Sequence, residues 1–314
     1  MHSISKDLVN FLTVTEEDAA QRLDNFLIKV LKGVPKSHIH RIIRAGEVRI
    51  NKKRSDATYR LQINDIVRVP PVKIAERALN PQKNPAPARD FPIVFEDEYL
   101  LVINKPAGVA VHGGSGISFG VIEQLRQARP EARYLELVHR LDKDTSGLLM
   151  IAKKRSALVK LHELIRQNVP QKKYFALGLG QWPKDVSHVK LPLLKYQGAN
   201  GEKMVRVNDD GQYAHTLFTV EQQYQQFTLV EANLKTGRTH QIRVHMQASG
   251  CPIAGDERYG DYERNKQLAK QGFKRMFLHA HELALPHPVT GEPLVINAPL
   301  PKELSQFLKG LARA

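Results

Sequence analysis

A proline-rich segment divides the sequence into two unequal parts. It reads NPQKNPAPARD, residues 80–90, with prolines at positions 81, 85 and 87. Proline at this density favours an extended, semi-rigid spacer, because each ring fixes the backbone and removes a hydrogen-bond donor. The remainder of the 314-residue chain is long enough to bury a sizeable core in at least one domain. We predict a domain at 1–80, a linker at 81–90 and a second domain at 91–314.

Positive charge is denser in the first part than in the second. The chain carries 47 Lys and Arg residues against 32 Asp and Glu, a formal net charge of +15. Residues 1–80 hold 15 basic and nine acidic side chains, and the rest hold 32 and 23, so the net charge per residue is about twice as high in the first part. Such an excess indicates an anionic partner, either nucleic acid or an anionic membrane surface.

The sequence lacks the usual signs of secretion or membrane insertion. No apolar run is long enough to span a bilayer, and the N-terminus has neither the apolar stretch nor the cleavage site of a signal peptide. The single cysteine, Cys251, excludes an internal disulfide and a multi-cysteine zinc site. We therefore expect a cytoplasmic protein without a membrane partner.

Two short helices and several strands are predicted in the first part. Apolar residues at i, i+3, i+4, i+7 and i+8 over residues 23–31 indicate one helix, which Gly33 ends. A second helix is expected to begin at the cap Ser37 and to end at Gly46, with three isoleucines on its buried face. Strand signals follow around residues 48–50 and 61–69.

The exposed positions of this part are strongly basic. Within nineteen residues the only acid is Glu47, and a basic helix beside a basic hairpin suits a phosphate backbone. The alternative is an ordinary solvated face of charged side chains. The predicted RNA-binding residues are Lys36, Arg41, Arg44, Arg49, Lys52, Lys53 and Arg54.

The order of these elements resembles the S4 RNA-binding domain. The similarity covers about residues 20–72 and rests on RLDNFL, GVPKSHIHRIIRAGEVRINKKR and LQINDIVRV. It implies RNA binding by this part of the chain and gives no indication of catalysis.

The second part alternates strand and helix signals. Strands are predicted at 99–104, 135–138, 147–152, 174–179 and 227–232. Helices are expected after the caps Ser156 and Thr239, the second of them ended by Gly250. A polar segment at about 261–275 is expected to be a mobile basic loop or a helix.

Two acids lie in a polar turn between apolar strands, in the segment HRLDKDTSG at residues 139–147. Such a turn can be a purely structural connection, in which the acids and Thr145 bind backbone amides. The segment nevertheless resembles the catalytic signature of the RluA-type pseudouridine synthases. The resemblance implies that Asp142 is the nucleophilic residue and that Asp144 is structural. It also implies that Arg140 fills the gap left by an extruded nucleotide.

Three further segments resemble the same family. TGRTHQIRVH, residues 236–245, resembles its second signature, which implies that Arg238 pairs with Asp142. An adjacent guanidinium would keep a partly desolvated carboxylate ionised. QKKYFAL, residues 171–177, implies that Tyr174 stacks on the target base, although a tyrosine in a strand can simply reflect β-propensity. NKPAGVAVHGGSG also matches, so the resemblance spans nearly the whole chain.

The resemblance implies an α+β fold, with a mixed, mostly antiparallel sheet in the catalytic domain and a small N-terminal α/β S4-like domain. It implies isomerisation of uridine to pseudouridine in 23S ribosomal RNA of the large subunit. Asp142 would either attack C1′ or deprotonate C2′ of a flipped-out uridine.

No cofactor is expected. The histidine pairs at 240/245 and 279/281 lack the spacing that places two ligands on one helix face, and the glycines near 113 lack the Lys-Ser/Thr of a phosphate-binding loop. We therefore predict neither a metal nor a nucleotide cofactor, and a monomer. The alternatives are a non-catalytic ribosomal RNA-binding assembly factor and, less favoured, a metal-dependent nuclease.

Overall fold

The chain forms two compact units in a computed structural model. The structure describes residues 5, 8–31, 34–72, 86–114, 118–198 and 201–313. One unit comprises residues 1–87 with 154–156, and the other comprises 88–153 with 157–314. Most of the predicted linker, up to residue 85, lies outside the described residues, as does Gly33; residues 86–90 form neither helix nor strand.

The first unit packs two helices against a small antiparallel sheet. The strand order is β1–β3–β2, and the inward-facing strand residues share one hydrophobic core with the helices. The elements are β1 (Asn10–Thr13), α1 (Leu23–Val30), α2 (Lys36–Arg44), β2 (Arg49–Ile50) and β3 (Ile66–Val69).

Helix α2 shows why this part folds as predicted. Its three isoleucines are buried, whereas the basic side chains between them are exposed. Gly46 follows the helix with a φ of 73°, a conformation that glycine adopts readily, and so ends it as predicted. The prediction that Ser37 caps the helix is wrong, because Pro35 occupies the cap position and no side chain caps the first turn. Pro35 has a non-helical backbone, with φ −57° and ψ 140°.

A ten-stranded sheet organises the second unit, and its strand pairs are antiparallel with one exception among the described residues. The order is β4–β5–β7–β14–β8–β13–β12–β9, with β15 paired to β14 and β6 to β7; β10 and β11 form a separate hairpin. This arrangement confirms the predicted α+β class. The strands are β4 (Ile93–Glu96), β5 (Leu100–Lys105), β6 (Glu136–Leu137), β7 (Ser146–Ala152), β8 (Gln171–Leu179), β9 (His188–Val189), β10 (Leu193–Gln197), β11 (Lys203–Val207), β12 (Thr216–Gln223), β13 (Phe227–Leu234), β14 (Leu278–Pro286) and β15 (Pro293–Asn297).

Helices lie between these strands and after the last of them. Those from residue 121 onward are α3 (Val121–Ala128), α4 (Arg155–Arg166), α5 (Gln241–Ala248), α6 (Tyr262–Lys270) and α7 (Lys302–Lys309). The polar segment near 261–275 therefore contains a helix, which begins where the Asp261 side chain accepts a hydrogen bond from the backbone N–H of Arg264. No helix in the described part of the chain is long and apolar enough to cross a membrane.

The exceptional parallel pairing joins the start of β7 to the start of β14. Ser146 lies opposite His279, and Gly147 lies opposite Ala280. Gly147 has a φ of 111°, and a Cβ at this position would lie 2.2 Å from the carbonyl oxygen of Ala280. Only glycine allows this close approach of the two backbones. The pairing fixes the turn that leads into β7, and this turn carries Asp142.

Candidate active site

Three of the segments singled out in the sequence, 139–147, 171–177 and 236–245, meet in one cleft of about 680 Å³ in the second unit. Its wall comes from the turn before β7, from α4, β8 and β10, and from the segment that leads into α5. The cleft brings together Asp142, Tyr174, Arg238 and Arg140.

The cleft is strongly cationic. Among the described residues that line it, Asp142 is the only carboxylate. Such a surface attracts an anionic ligand. Asp142 is the one acid among the described residues that such a ligand meets there. The six cationic side chains are Arg140, Arg166, Lys172, Lys195, Arg238 and Arg243.

The Asp142 side chain is 28% exposed and is held by an arginine of helix α5. Nη1 of Arg243 donates to Oδ2 of Asp142 at 2.9 Å. The backbone carbonyl of Asp142 accepts from the N–H of Thr145 at 3.2 Å, which closes the turn. The carboxylate therefore has one oxygen in an ion pair and the other, Oδ1, facing the cleft side of the turn.

The expectation that Arg238 pairs with Asp142 is wrong. Nε of Arg238 donates to the carbonyl of Tyr213 at 2.9 Å, and its backbone N–H donates to Oε1 of Gln241. Arg238 precedes the first turn of α5, so these contacts direct its side chain along the cleft wall. Arg243 lies within the helix, on a buried face that is directed at the Asp142 turn.

Arg243 is itself anchored by a second carboxylate. Its Nε and Nη2 donate to the two oxygens of Asp256 at 2.7 and 2.8 Å. Asp256 also accepts hydrogen bonds from the backbone N–H groups of Arg258 and Tyr259. Burial alone would raise the pKa of Asp256, but the hydrogen bonds and charge of Arg243 lower it overall. Burial likewise opposes the charge of Arg243, yet Asp256 and Asp142 raise its pKa.

Tyr174 forms part of the cleft wall from strand β8. The side chain is buried, and the residue lies between Ala232 of β13 and Ala280 of β14 in the sheet. Burial, together with the charge of Asp142, raises the pKa of the Tyr174 phenol, so the phenol stays neutral. Tyr174 is the fourth residue of its strand, and the central strands of the sheet hold it rigidly.

The other two residues of the first signature are exposed. Arg140 lines the cleft, and its guanidinium makes no hydrogen bond or ion pair with another residue in the described ranges. Asp144, expected to be structural, likewise has no hydrogen-bond or ion-pair partner within the described part of the chain. The alternative in which the acids of this turn only bind backbone amides therefore does not apply to the Asp144 carboxylate.

Two buried groups beside the turn were not identified from the sequence. The Lys105 ammonium donates to the carbonyls of Pro106, Val109 and Lys143, and so ties strand β5 to the turn. Burial lowers the pKa of Lys105 to about 7, against the opposing charges of the two aspartates in the turn. Nε2 of His139 accepts from the N–H of Met150 at 3.1 Å, and burial lowers its pKa to about 3. The sequence gave no signal for these roles, because both depend on contacts with other segments of the chain.

The histidine pairs considered as metal ligands have other contacts. His245 bonds Thr216 and the carbonyl of Leu191, and His279 bonds Ser146. His281 stacks on Phe175. Within the described residues no three His, Cys, Asp or Glu side chains group as metal ligands.

The basic residues predicted to bind RNA all lie on the surface of the first unit. Lys36, Arg41 and Arg44 are on the exposed side of α2. Arg49 is in β2, and Lys52, Lys53 and Arg54 follow it in and beyond a tight turn. Their role in RNA binding stays a prediction.

Comparison with known proteins assigns both parts of the chain. A family model described as RNA pseudouridylate synthase matches residues 99–248, and an S4 domain model matches residues 21–67. The chain is 54% identical to ribosomal large subunit pseudouridine synthase C of Pasteurella multocida, over 96% of this chain and 94% of that protein. It is 53% identical to the protein of the same name from Escherichia coli K12, over 98% of each.

Solved structures agree with this assignment. The fold is similar to human RNA pseudouridylate synthase domain containing 4, with a TM-score of 0.58 and 29% identity, over 69% of this chain and 92% of that one. Human RNA pseudouridylate synthase domain containing 1, at 24% identity and a TM-score of 0.56 over 72% of this chain and 97% of that one, shares the fold. The chain therefore belongs to the RNA pseudouridine synthase family, and it is a synthase that carries an S4 domain.

Proposed function

We propose that this enzyme converts specific uridines of large-subunit (23S) ribosomal RNA to pseudouridine, with Asp142 as the catalytic carboxylate. The observation that carries the proposal is the lone carboxylate in a cationic cleft, held by Arg243 and lined by Tyr174. The names of the relatives support the large ribosomal subunit as the source of the substrate.

Each residue has a distinct part in the proposed reaction. The isomerisation breaks the N1–C1′ bond of uridine, turns the uracil and joins C5 to C1′, and the proton that C5 loses is balanced by the one that N1 gains. Asp142 either attacks C1′ or removes a proton from C2′, and its hydrogen bond with Arg243 orients it for either step. Tyr174 supplies an aromatic surface on which the uracil stacks.

RNA binding supplies the energy for exposing the target. A uridine in structured RNA must leave its stack, at a cost of about a few kcal/mol. The cationic cleft and the exposed basic residues of the S4 domain offset this cost through phosphate contacts. Arg140, which is exposed at the cleft and has its guanidinium available, is placed to occupy the gap left in the RNA.

The test is the substitution Asp142→Asn, with Asp144→Asn as the matched control in the same turn. Pseudouridine is mapped by carbodiimide chemistry on 23S RNA, in chelator after extensive dialysis. We expect Asp142→Asn to lose at least about a hundredfold in turnover, or ~2.7 kcal/mol in barrier, with RNA affinity within a few-fold. Asp144→Asn should stay close to wild type.

The same assay separates the alternative functions. A non-catalytic assembly factor would bind the RNA and form no pseudouridine with either variant or with wild type. A metal-dependent nuclease would shorten the RNA on a denaturing gel when divalent ions are restored. We further propose a cytoplasmic monomer that needs no nucleotide cofactor, which sedimentation and nucleotide-free assays test.

A further inference from the structure

His240 occupies a strained backbone position at the edge of the cleft. It precedes helix α5 with φ 52° and ψ 22°, in the left-handed region. Residues other than glycine adopt this region uncommonly, and such conformations cluster at functional sites. Its imidazole lines the cleft and is only 11% exposed.

A hydrogen-bond chain fixes which ring nitrogen of His240 carries the proton. Tyr259, which is almost fully buried, accepts from the N–H of Val205 at 2.9 Å. Its hydroxyl lies 2.7 Å from Nδ1 of His240. If Nδ1 carried the proton, the Tyr259 O–H would have no acceptor among the described residues. Tyr259 therefore donates to Nδ1, and the proton of the neutral imidazole is on Nε2.

The charge state of the imidazole agrees with this assignment. Burial lowers the pKa of His240, and the positive charges of Arg243 and Arg258 act in the same direction. The negative charges of Asp142 and Asp256 oppose the shift without reversing it. His240 is thus a neutral ring that offers a single N–H donor to the cleft.

This donor faces the oxygen of Asp142 that Arg243 leaves open. Nε2 of His240 and Oδ1 of Asp142 are 3.8 Å apart, which is too long for a direct hydrogen bond. A donor and an acceptor at this separation can both bind one group that accepts from the first and donates to the second. A hydroxyl has both capacities.

We infer that His240 Nε2 and Asp142 Oδ1 form a subsite for the 2′-hydroxyl of the target ribose, which makes His240 a specificity-determining residue. The inference rests on the proposed function. The 2′-oxygen is attached to C2′ and is one carbon from C1′, so it lies beside Asp142 whichever of these atoms reacts. Only RNA carries this hydroxyl, and the subsite therefore selects RNA over DNA at the target nucleotide.

The test combines a change in the enzyme with a change in the substrate. His240→Gly removes the imidazole at a backbone conformation that glycine adopts without strain. Single-turnover rates are measured on two RNAs that differ only in uridine or 2′-deoxyuridine at the target. His188→Ala, an exposed histidine outside the cleft, is the control.

We expect the two changes not to be additive. Wild type should prefer the uridine RNA by at least about thirtyfold, and His240→Gly should reduce this preference to about threefold. The loss should fall on the uridine substrate, whereas the slow reaction of the deoxyuridine substrate stays within about threefold. His188→Ala should keep the wild-type preference. If the deoxyuridine RNA does not react, the preference is measured from binding. The half-saturation concentration of the uridine RNA is then compared with the inhibition constant of the deoxyuridine RNA, for each enzyme.

Two further measurements distinguish the origin of any loss. Tyr259→Phe keeps the ring beside Arg243 but frees Nδ1 of His240, and should give part of the same loss of preference. His240→Gln offers an N–H of similar reach and should retain part of the preference for the uridine RNA. If His240→Gly lowers the rate equally on the uridine and the deoxyuridine RNA, the subsite is overturned. It is also overturned if the effect of His240→Gly disappears when the target is 3-methyluridine, because His240 would then contact the base. Absence of pseudouridine with wild type would instead refute the proposed function.

Discussion

Arg243 and Asp256 face each other through two parallel hydrogen bonds of 2.7 and 2.8 Å, with side-chain exposures of 7% and 0%. This bidentate geometry fixes the plane of the guanidinium. The nitrogen that remains, Nη1, is thereby directed at Asp142. Asp256 thus acts on Asp142, the proposed catalytic carboxylate, through Arg243, across a chain of three charged groups.

Asp256→Asn should lower both stability and turnover. The substitution leaves a buried guanidinium with one carboxylate instead of two, and breaking a buried pair costs about 3–5 kcal/mol. Turnover should fall at least about tenfold, with RNA affinity nearly unchanged. Urea unfolding and single-turnover rates measure the two effects. Glu303→Gln, which removes an exposed partner of Arg275, should cost less than about 1 kcal/mol. An Asp256→Asn enzyme with wild-type turnover would show that the guanidinium needs no anchor.

Arg243 and Arg238 should respond differently to lysine. Arg243→Lys retains charge but loses the fork that grips two carboxylates, so turnover should fall at least about a hundredfold. Arg238→Lys should retain most of the turnover at saturating RNA and change mainly the half-saturation concentration. Rates over a range of RNA concentrations separate the two effects. Equal loss of turnover in both variants would restore the role that the sequence assigned to Arg238.

The S4 domain should contribute measurably to the salt dependence of binding. Lys53→Ala with Arg54→Ala removes two exposed charges after β2. The slope of log K against log salt should become shallower by ~1.4–1.8, because about two fewer phosphates are neutralised. Lys266→Ala with Lys270→Ala, on helix α6, makes the same change in net charge at another place. If both double variants shift the slope equally, total charge and not the S4 surface governs binding.

His139 should make the protein sensitive to acid. Its pKa in the fold is about 3, below the ordinary value of 6.5. Between these values the unfolded chain binds a proton that the folded chain excludes, so stability is lost as the pH falls from 6.5 towards 3. The slope contributed is at most ~1.4 kcal/mol per pH unit. His139→Gln can still accept from the Met150 N–H and should flatten this slope in urea unfolding, whereas the exposed His112→Gln should not.

Gly147 should be far less tolerant of a side chain than Gly291. Both have positive φ, 111° and 76°, but a Cβ meets the Ala280 carbonyl at 2.2 Å in the first case and nothing within 4 Å in the second. Gly291→Ala should cost about 1–2 kcal/mol from the backbone conformation alone. Gly147→Ala must also separate β7 from β14, so its free energy of unfolding should fall clearly further. Similar losses would mean that the strands can shift apart freely.

Local patterns predicted some helices and strands well, but helices α3 and α7 were not predicted. The isoleucines of α2 and the apolar run of β7 gave clear periodic signals, and both elements formed within about two residues of the predicted bounds. Strands β12 and β14 were missed, because polar residues such as Glu221 and His281 interrupt their apolar pattern. The pairing of β7 with β14 is also invisible in the sequence, since it joins residues 133 positions apart.

The sequence predicted residues of the site but not the contacts between them. The signatures named Asp142, Tyr174 and Arg238, which line one cleft, but they assigned the pairing with Asp142 to Arg238, whereas Arg243 makes it. That choice depends on where α5 begins, and the helix starts at Gln241 after a left-handed His240 and not after a cap at Thr239. Asp256 gave no signal, because its role depends entirely on a buried arginine from another segment.

The position of β14 in the sheet has a consequence for the newly made protein. This strand lies between β7 and β8, which follow Asp142 and carry Tyr174 respectively. Residues 278–286 must therefore leave the ribosome before the two halves of the cleft can join. Domains generally fold in the order of synthesis, and distant strand pairs form late. A nascent chain thus carries its S4 domain long before it has a complete cleft, and the proposed chemistry cannot begin until residues 278–286 have emerged.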